Sequence, residues 1–93
     1  MIQSFADKKT EMIWRGRRSS TLPQVIQQRA FNQLAMIHRS QDIHDLRVPP
    51  SNHFERLSGD RKGDCSIRIN QQWRICVGWK AGHAYEVEIT DYH

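Results

Sequence analysis

The chain is predicted to be an α+β domain: a small antiparallel sheet of about four to five strands, mixed at the edge, with two to three N-terminal helices packed on one face. Three observations predict it. Apolar residues recur at three-and-four spacing before residue 49, the helical period. From Phe54 onward they alternate, the period of a half-buried strand. Pro49-Pro50 stands between the two regimes, where neither a helix nor a central strand is tolerated. At 93 residues the chain makes one domain, residues 1–93.

Each element follows in order. Met1-Ile2-Gln3-Ser4-Phe5 alternates like an edge strand. Asp7 is a candidate N-cap for a short helix over residues 8–14, ended by Gly16. Ser20 or Thr21 stands near the next helix start, and Pro23 fits a first turn, where a missing N–H costs nothing. Residues 24–38 form the clearest helix, with Ile26, Ala30, Leu34 and Ile37 in one stripe, widened by Val25 and Phe31. A further helical turn covers residues 42–46. Residues 53–57 make a short strand, and the stretch from Gly59 to Gly63 makes a turn. In residues 65–70, Ile67 and Ile69 take one face while Ser66, Arg68 and Asn70 take the other. In residues 73–80, Trp73, Ile75, Val77 and Trp79 face one side and Arg74, Cys76 and Gly78 the opposite one. After a turn at Ala81-Gly82-His83, Tyr85, Val87 and Ile89 form the inner face of a last strand, with Glu86 and Glu88 outside. The product is a meander with helices on one face and a polar, arginine-bearing face left open, which an antiparallel sheet tolerates.

Composition narrows the function classes. No apolar run spans a membrane and no signal-peptide pattern opens the chain, so a cytoplasmic protein is expected. Cys65 and Cys76 make neither a disulfide framework nor a zinc motif; they read as small residues of adjacent strands. The five histidines show no HxH or HExxH arrangement, so no metal and no cofactor are expected. The net charge is +4, and ten of the fourteen basic residues are arginine, whose planar fork suits phosphate and stacks on bases. Arg56, Arg61, Lys62, Arg68, Arg74 and Lys80 crowd residues 54–80, which makes Arg56, Arg61, Lys62 and Arg68 candidates for binding RNA. Arg15, Arg17 and Arg18 form a second cluster, which reads first as a solvated loop.

The open face is where chemistry is sought. Arg68 and Arg74 lie on consecutive strands, each on its polar side, and in register they would form a two-guanidinium clamp. Like charges side by side on a sheet are unfavourable without a counter-anion. The bland alternative is a pair of solvated arginines balanced by Glu86 or Glu88. The last residues, Asp91, Tyr92 and His93, follow an alternation that runs to Ile89, so the last strand is expected to pin them. Held there, His93 serves as a general acid or base, Tyr92 stacks on a base, and Asp91 orients an imidazole or closes a salt bridge. Cutting RNA requires an in-line 2′-OH, a base to take its proton, and cations for the phosphorane. Arginines with Glu55 or a histidine in reach supply these.

Four stretches carry a resemblance over nearly the whole chain: Met1-Ile2-Gln3-Ser4-Phe5, Arg56-Leu57-Ser58-Gly59-Asp60-Arg61-Lys62-Gly63, Ser66-Ile67-Arg68-Ile69-Asn70-Gln71-Gln72-Trp73-Arg74-Ile75, and Asp91-Tyr92-His93. Together they resemble the HigB toxins of the RelE/ParE toxin superfamily. The resemblance implies a type II toxin that enters the ribosomal A site and cuts mRNA as a metal-independent endoribonuclease. It implies a HigA-like helix-turn-helix antitoxin, with operator DNA reached only through that antitoxin. Carried over by position, Arg74 stabilises phosphate, and Asp91, Tyr92 and His93 form the terminal active-site group. The role given to Arg68 rests on alternation alone.

One departure matters. HigB-type sequences commonly carry a His and a Lys before the glycine of the turn. Aligned on Gly59, Glu55 takes the His position and Ser58 the Lys position, with His53 two residues away. A weaker enzyme with Glu55 as base and His93 as acid follows from that substitution. Two rivals keep the fold: a ribosome or RNA binder that blocks translation without cutting, and a ParE-like inhibitor of DNA gyrase. The terminal Asp91-Tyr92-His93 speaks against the second.

Overall fold

A computed structural model describes residues 1–59 and 63–91. Helix α1 spans Lys8–Trp14 and α2 spans Gln24–Arg39, followed by two 3₁₀ turns, Ile43–Arg47 and Pro50–Asn52. Strands β1 (Glu55–Arg56), β2 (Asp64–Arg68), β3 (Trp73–Lys80) and β4 (His83–Asp91) complete the order. They form one sheet in the order β1-β2-β3-β4, every pair antiparallel. Parallel bridges join Ile2 to Ala84 and Phe5 to Val87, so the sheet is mixed at its β4 edge. The expected N-terminal strand is thus two separate bridges, because Ser4 between them is drawn to Glu86.

Local chemistry places each element. The Asp7 carboxylate caps α1 by accepting from the Thr10 amide. Burial alone would raise this carboxyl, but hydrogen bonds from Lys9 and Thr10 outweigh it and hold the group below its usual value. Thr10, fully buried, accepts from the Ile89 amide at 2.9 Å and ties α1 to β4. Pro23 is itself the N-cap residue of α2, and no side chain caps that end, so neither Ser20 nor Thr21 serves there. The Gln27 side chain instead binds the carbonyls of Ser19 and Leu22 and holds the loop to the helix.

Ile26, Ala30, Leu34 and Ile37 of α2 are buried as the helical stripe requires. Val25 does not widen that stripe: it is 88% exposed, since one residue's rotation carries it off the packed face. Phe31 does widen it, stacking on Trp14. Against this stripe lie Cys65 and Ile67 of β2, Ile75 and Val77 of β3, and Ala84, Val87 and Ile89 of β4, all fully buried. Burial pushes the Cys65 thiol up to about 12, so it stays protonated and behaves as a small apolar group.

Two turns set the register that aligns the site. Asn70 Oδ1 accepts from the amides of Gln72 and Trp73, closing the β2–β3 connection and placing Arg68 opposite Arg74. Ala81 and Gly82 both have positive φ, as a two-residue hairpin loop demands. Farther along β4 the register slips: Gly78 faces Tyr85 and Cys76 faces Glu88, which leaves one extra residue on β4. Glu86, at φ +50°, is the bulged residue. Tyr85 therefore lies on the face opposite Val87 and Ile89, and Ala84 takes the inner position predicted for it. Simple alternation fails here because a bulge resets the period by one.

Candidate active site

The register defines the face turned away from the helices. Glu55, Ser66, Cys76 and Glu88 share one row across it, with Arg68, Arg74 and Thr90 in the row below and Asp64, Gly78 and Tyr85 in the row above. Arg68 and Arg74 are direct Cα partners, which settles the register that the sequence pattern left open. Acidic groups are interleaved with the arginines, so this face is mixed in charge rather than uniformly basic.

Arg74 departs from the expectation of a displayed cation. It is 4% exposed, and its guanidinium runs across β2 toward the start of β1. Nε donates to Ser66 Oγ at 2.8 Å, and Nη2 donates to the His53 carbonyl at 2.6 Å and the Ser66 carbonyl at 3.3 Å. The remaining nitrogen stands 3.8 Å from the Glu55 carboxylate, whose side chain is 54% exposed. A buried charge is tolerated only when it is paired and hydrogen-bonded, and these partners meet that condition. They also aim the fork, so the site presents a cation fixed in direction with a carboxylate at its outer edge. Arg68 is half-buried, and among the described residues its guanidinium makes no hydrogen bond or ion pair.

His53 enters through its backbone. It ends the Pro50–Asn52 turn in the left-handed region, at φ 46° and ψ 55°, which delivers its carbonyl to Arg74. Its side chain is exposed. Asn52 just before it is buried and donates to the carbonyls of Leu46 and Val48, so the segment that carries His53 is anchored from within. Ser66 and this carbonyl are the site's supports that the sequence reading does not single out. Their signal was faint: a serine at the strand position facing Glu55, and a Pro-Pro turn that forces a reversal.

The other candidates divide. Asp91 faces Trp73 on the helix side and accepts from Gln72 Nε2 at 3.0 Å; it borders the Arg74 face rather than lying on it. Arg56 pairs with Cys65 and so also belongs to the helix side, where it is exposed and stands apart from Arg68 and Arg74. There it adds the smallest contribution to the low Asp42 carboxyl, which is held down first by the His44 backbone amide and then by the His44 side chain. Arg61, Lys62, Tyr92 and His93 lie outside the described residues. Among the described residues no three metal-ligating side chains come together, and no helix is long and apolar enough to cross a membrane.

Comparison with known proteins gives one consistent answer. Residues 3–93 match the model of the HigB-like toxins, described as the RelE-like toxin of the type II toxin-antitoxin system HigB. The chain is 39% identical over 85 residues to Toxin HigB-1 of Vibrio cholerae serotype O1, covering 90% of each chain. It is 30% identical to Endoribonuclease HigB of Proteus vulgaris over 93 residues, the full length of both. An α+β sheet domain with two arginines brought into register on its open face, and a match over almost its whole length, mark this chain as a member of the HigB-like toxin family of type II toxin-antitoxin systems.

Proposed function

We propose that the chain is an endoribonuclease that enters the ribosomal A site and cleaves mRNA there, in the cytoplasm, and that a HigA-like helix-turn-helix antitoxin neutralises it. The observation that carries the reading is Arg74, buried, hydrogen-bonded to the Ser66 hydroxyl and to the carbonyls of His53 and Ser66, facing Arg68 in register and 3.8 Å from Glu55. A structural arginine needs no second arginine directly across the ladder, because that placement is unfavourable without an anion. A phosphate bound between them relieves the repulsion. The name of the Proteus vulgaris relative, an endoribonuclease, points the same way.

In this reading the ribose 2′-oxygen attacks the neighbouring phosphorus and gives its proton to Glu55. The bond to the 5′-oxygen breaks, and that oxygen takes a proton from His93. The products are a 2′,3′-cyclic phosphate and a 5′-hydroxyl. Arg74 and Arg68 stabilise the charge on the phosphorane, and Asp91 and Tyr92 complete the terminal group. Base, acid and cations are all supplied by side chains, so the step needs no metal. Arg56, Arg61 and Lys62 add cationic charge for binding RNA. The antitoxin reaches operator DNA, and the toxin does so only through it.

The test is direct. Purified protein is mixed with ribosomes programmed with a defined mRNA, and the 3′ ends are mapped. Cleavage within the A-site codon, lost in Arg74→Ala and reduced ~10²-fold or more in Glu55→Gln, is the expected outcome. Intact mRNA with translation still blocked would replace this reading with a non-cleaving inhibitor. Unblocked translation together with inhibited DNA supercoiling would point to gyrase.

A further inference from the structure

The bulge in β4 has a consequence for how a strand of RNA is held. Strict alternation would send Tyr85 into the core beside Val87. The extra residue at Glu86 turns it outward instead, onto the same face as Arg74. Glu86 pays for this with a left-handed backbone, φ +50°. The bulge is clamped rather than loose: Ser4 Oγ accepts from the Glu86 amide at 2.9 Å, and the Ser4 carbonyl accepts from the Val87 amide at 3.2 Å. Keeping both Ala84 and Val87 in the core accounts for the bulge. It does not account for an aromatic residue on the outside of it.

Opposite Tyr85 the sheet is bare. A Cβ at Gly78 would come within 3.0 Å of the Tyr85 carbonyl oxygen and 3.4 Å of Asp64 Oδ1, so a larger residue there would crowd the β4 backbone. The result is a groove of about 340 Å³ lined by Asp64, Gly78, Trp79, Lys80, Tyr85 and Glu86. It has an aromatic ring, a flat backbone floor, a lysine, and the carboxylates of Asp64 and Glu86 in its lining. From Arg74 to Gly78 is four strand residues, about 13 Å, which an extended RNA strand crosses within a few nucleotides.

We propose that this groove is a stacking subsite for one unpaired nucleobase of the RNA, with Tyr85 as the platform and Lys80 meeting the adjoining phosphate, so that the strand runs along β3 from Arg74 to Gly78. The proposal rests on the endoribonuclease reading. An aromatic platform beside a cation is the arrangement by which single strands are held, since every base has a π-face. The glycine floor admits a flat ring and excludes a side chain that would tilt it. Tyr85 is a binding residue here and takes no part in the bond-breaking step.

Ribosomes are programmed with mRNAs carrying a 2′-O-methyl group at the scissile nucleotide, which removes the nucleophile, and the affinity of the protein is measured. Tyr85→Ala is expected to weaken binding roughly ten- to hundredfold, while Tyr85→Phe keeps the ring and binds like the parent. An abasic site placed at successive nucleotides is expected to reproduce that loss at one position only. At that position Tyr85→Ala then adds nothing further. Circular dichroism and a thermal melt show that both variants are folded. Binding that is indifferent to Tyr85→Ala, or losses that add at every abasic position, would overturn the subsite. The two readings fail separately: a parent protein that cuts mRNA while Tyr85→Ala cuts and binds equally well sinks the subsite alone, whereas a parent that never cuts sinks the ribonuclease reading.

Discussion

Arg74 Nε donates to Ser66 Oγ at 2.8 Å across two neighbouring strands, and this bond sets the direction of the buried guanidinium. Ser66 is fully buried, so its hydroxyl has no competing water. Ser66→Ala removes the acceptor without adding volume. It is expected to cost about 1.5–3 kcal/mol of stability, the loss of one hydrogen bond to a charged group. Cleavage should fall in kcat by about tenfold with KM little changed, because a misaimed cation is felt most where charge develops. Steady-state kinetics beside a urea titration separate the two effects. An unchanged kcat in a folded variant would show that Ser66 supports the fold alone.

Arg74→Lys keeps the charge but not the fork. A lysine ammonium is a point donor on a flexible stem, and it cannot meet Ser66 Oγ, the His53 carbonyl and the Ser66 carbonyl from Arg74's positions. The variant is expected to lose ~10²–10³ in kcat, close to the loss in Arg74→Ala. Near-parental rates in Arg74→Lys would mean that charge alone suffices and that the aimed geometry is incidental.

How much of this was legible in the sequence depends on the range of the signal. The Asp7 cap, the α2 stripe and the shared polar side of Arg68 and Arg74 follow from spacing alone, whereas the direct pairing of the two arginines comes from the register that Asn70 sets. Tyr85 was not legible, because the bulge that turns it out is stabilised by Ser4, far away in sequence. The burial of Arg74 was hidden for the same reason: its acceptors are a carbonyl from a Pro-Pro turn and a serine on another strand. Periodicity reports which side of a strand a residue takes. It does not report whether a long side chain on that side stands up into solvent or lies down along the sheet.

Asp7 makes the stability of α1 depend on pH. Its carboxyl, held low in the fold by Lys9 and Thr10, is compared with an unfolded value of about 3.9. Because the folded value is the lower one, the folded state binds the proton less readily, and the stabilisation is present in full above the unfolded value. It is lost as pH falls through the folded value. Asp7→Asn keeps a capping acceptor and drops the charge, so the parent should be more stable by about 1 kcal/mol or less at neutral pH. That gap is expected to close below roughly pH 4. Denaturant melts across this range check it, and a gap that persisted in acid would assign the difference to packing.

Val25 and Leu34 lie on the same helix and test which face of α2 the sheet holds. Leu34 is fully buried within the stripe, among residues that pack from both the helices and the strands. Leu34→Ala leaves a cavity and is expected to cost about 2–5 kcal/mol, a large share of the stability of a domain this small. Val25 is 88% exposed, so Val25→Gln gives up almost no buried surface. It should change stability by less than about 0.5 kcal/mol, since polar substitution at an exposed helix position removes no contact. Thermal melts of the two variants decide the matter. A large loss for Val25→Gln would place Val25 in the core and rotate α2 by a residue, and the same rotation would carry Gln33 away from the Arg68 carbonyl, which its Nε2 now meets at 2.7 Å.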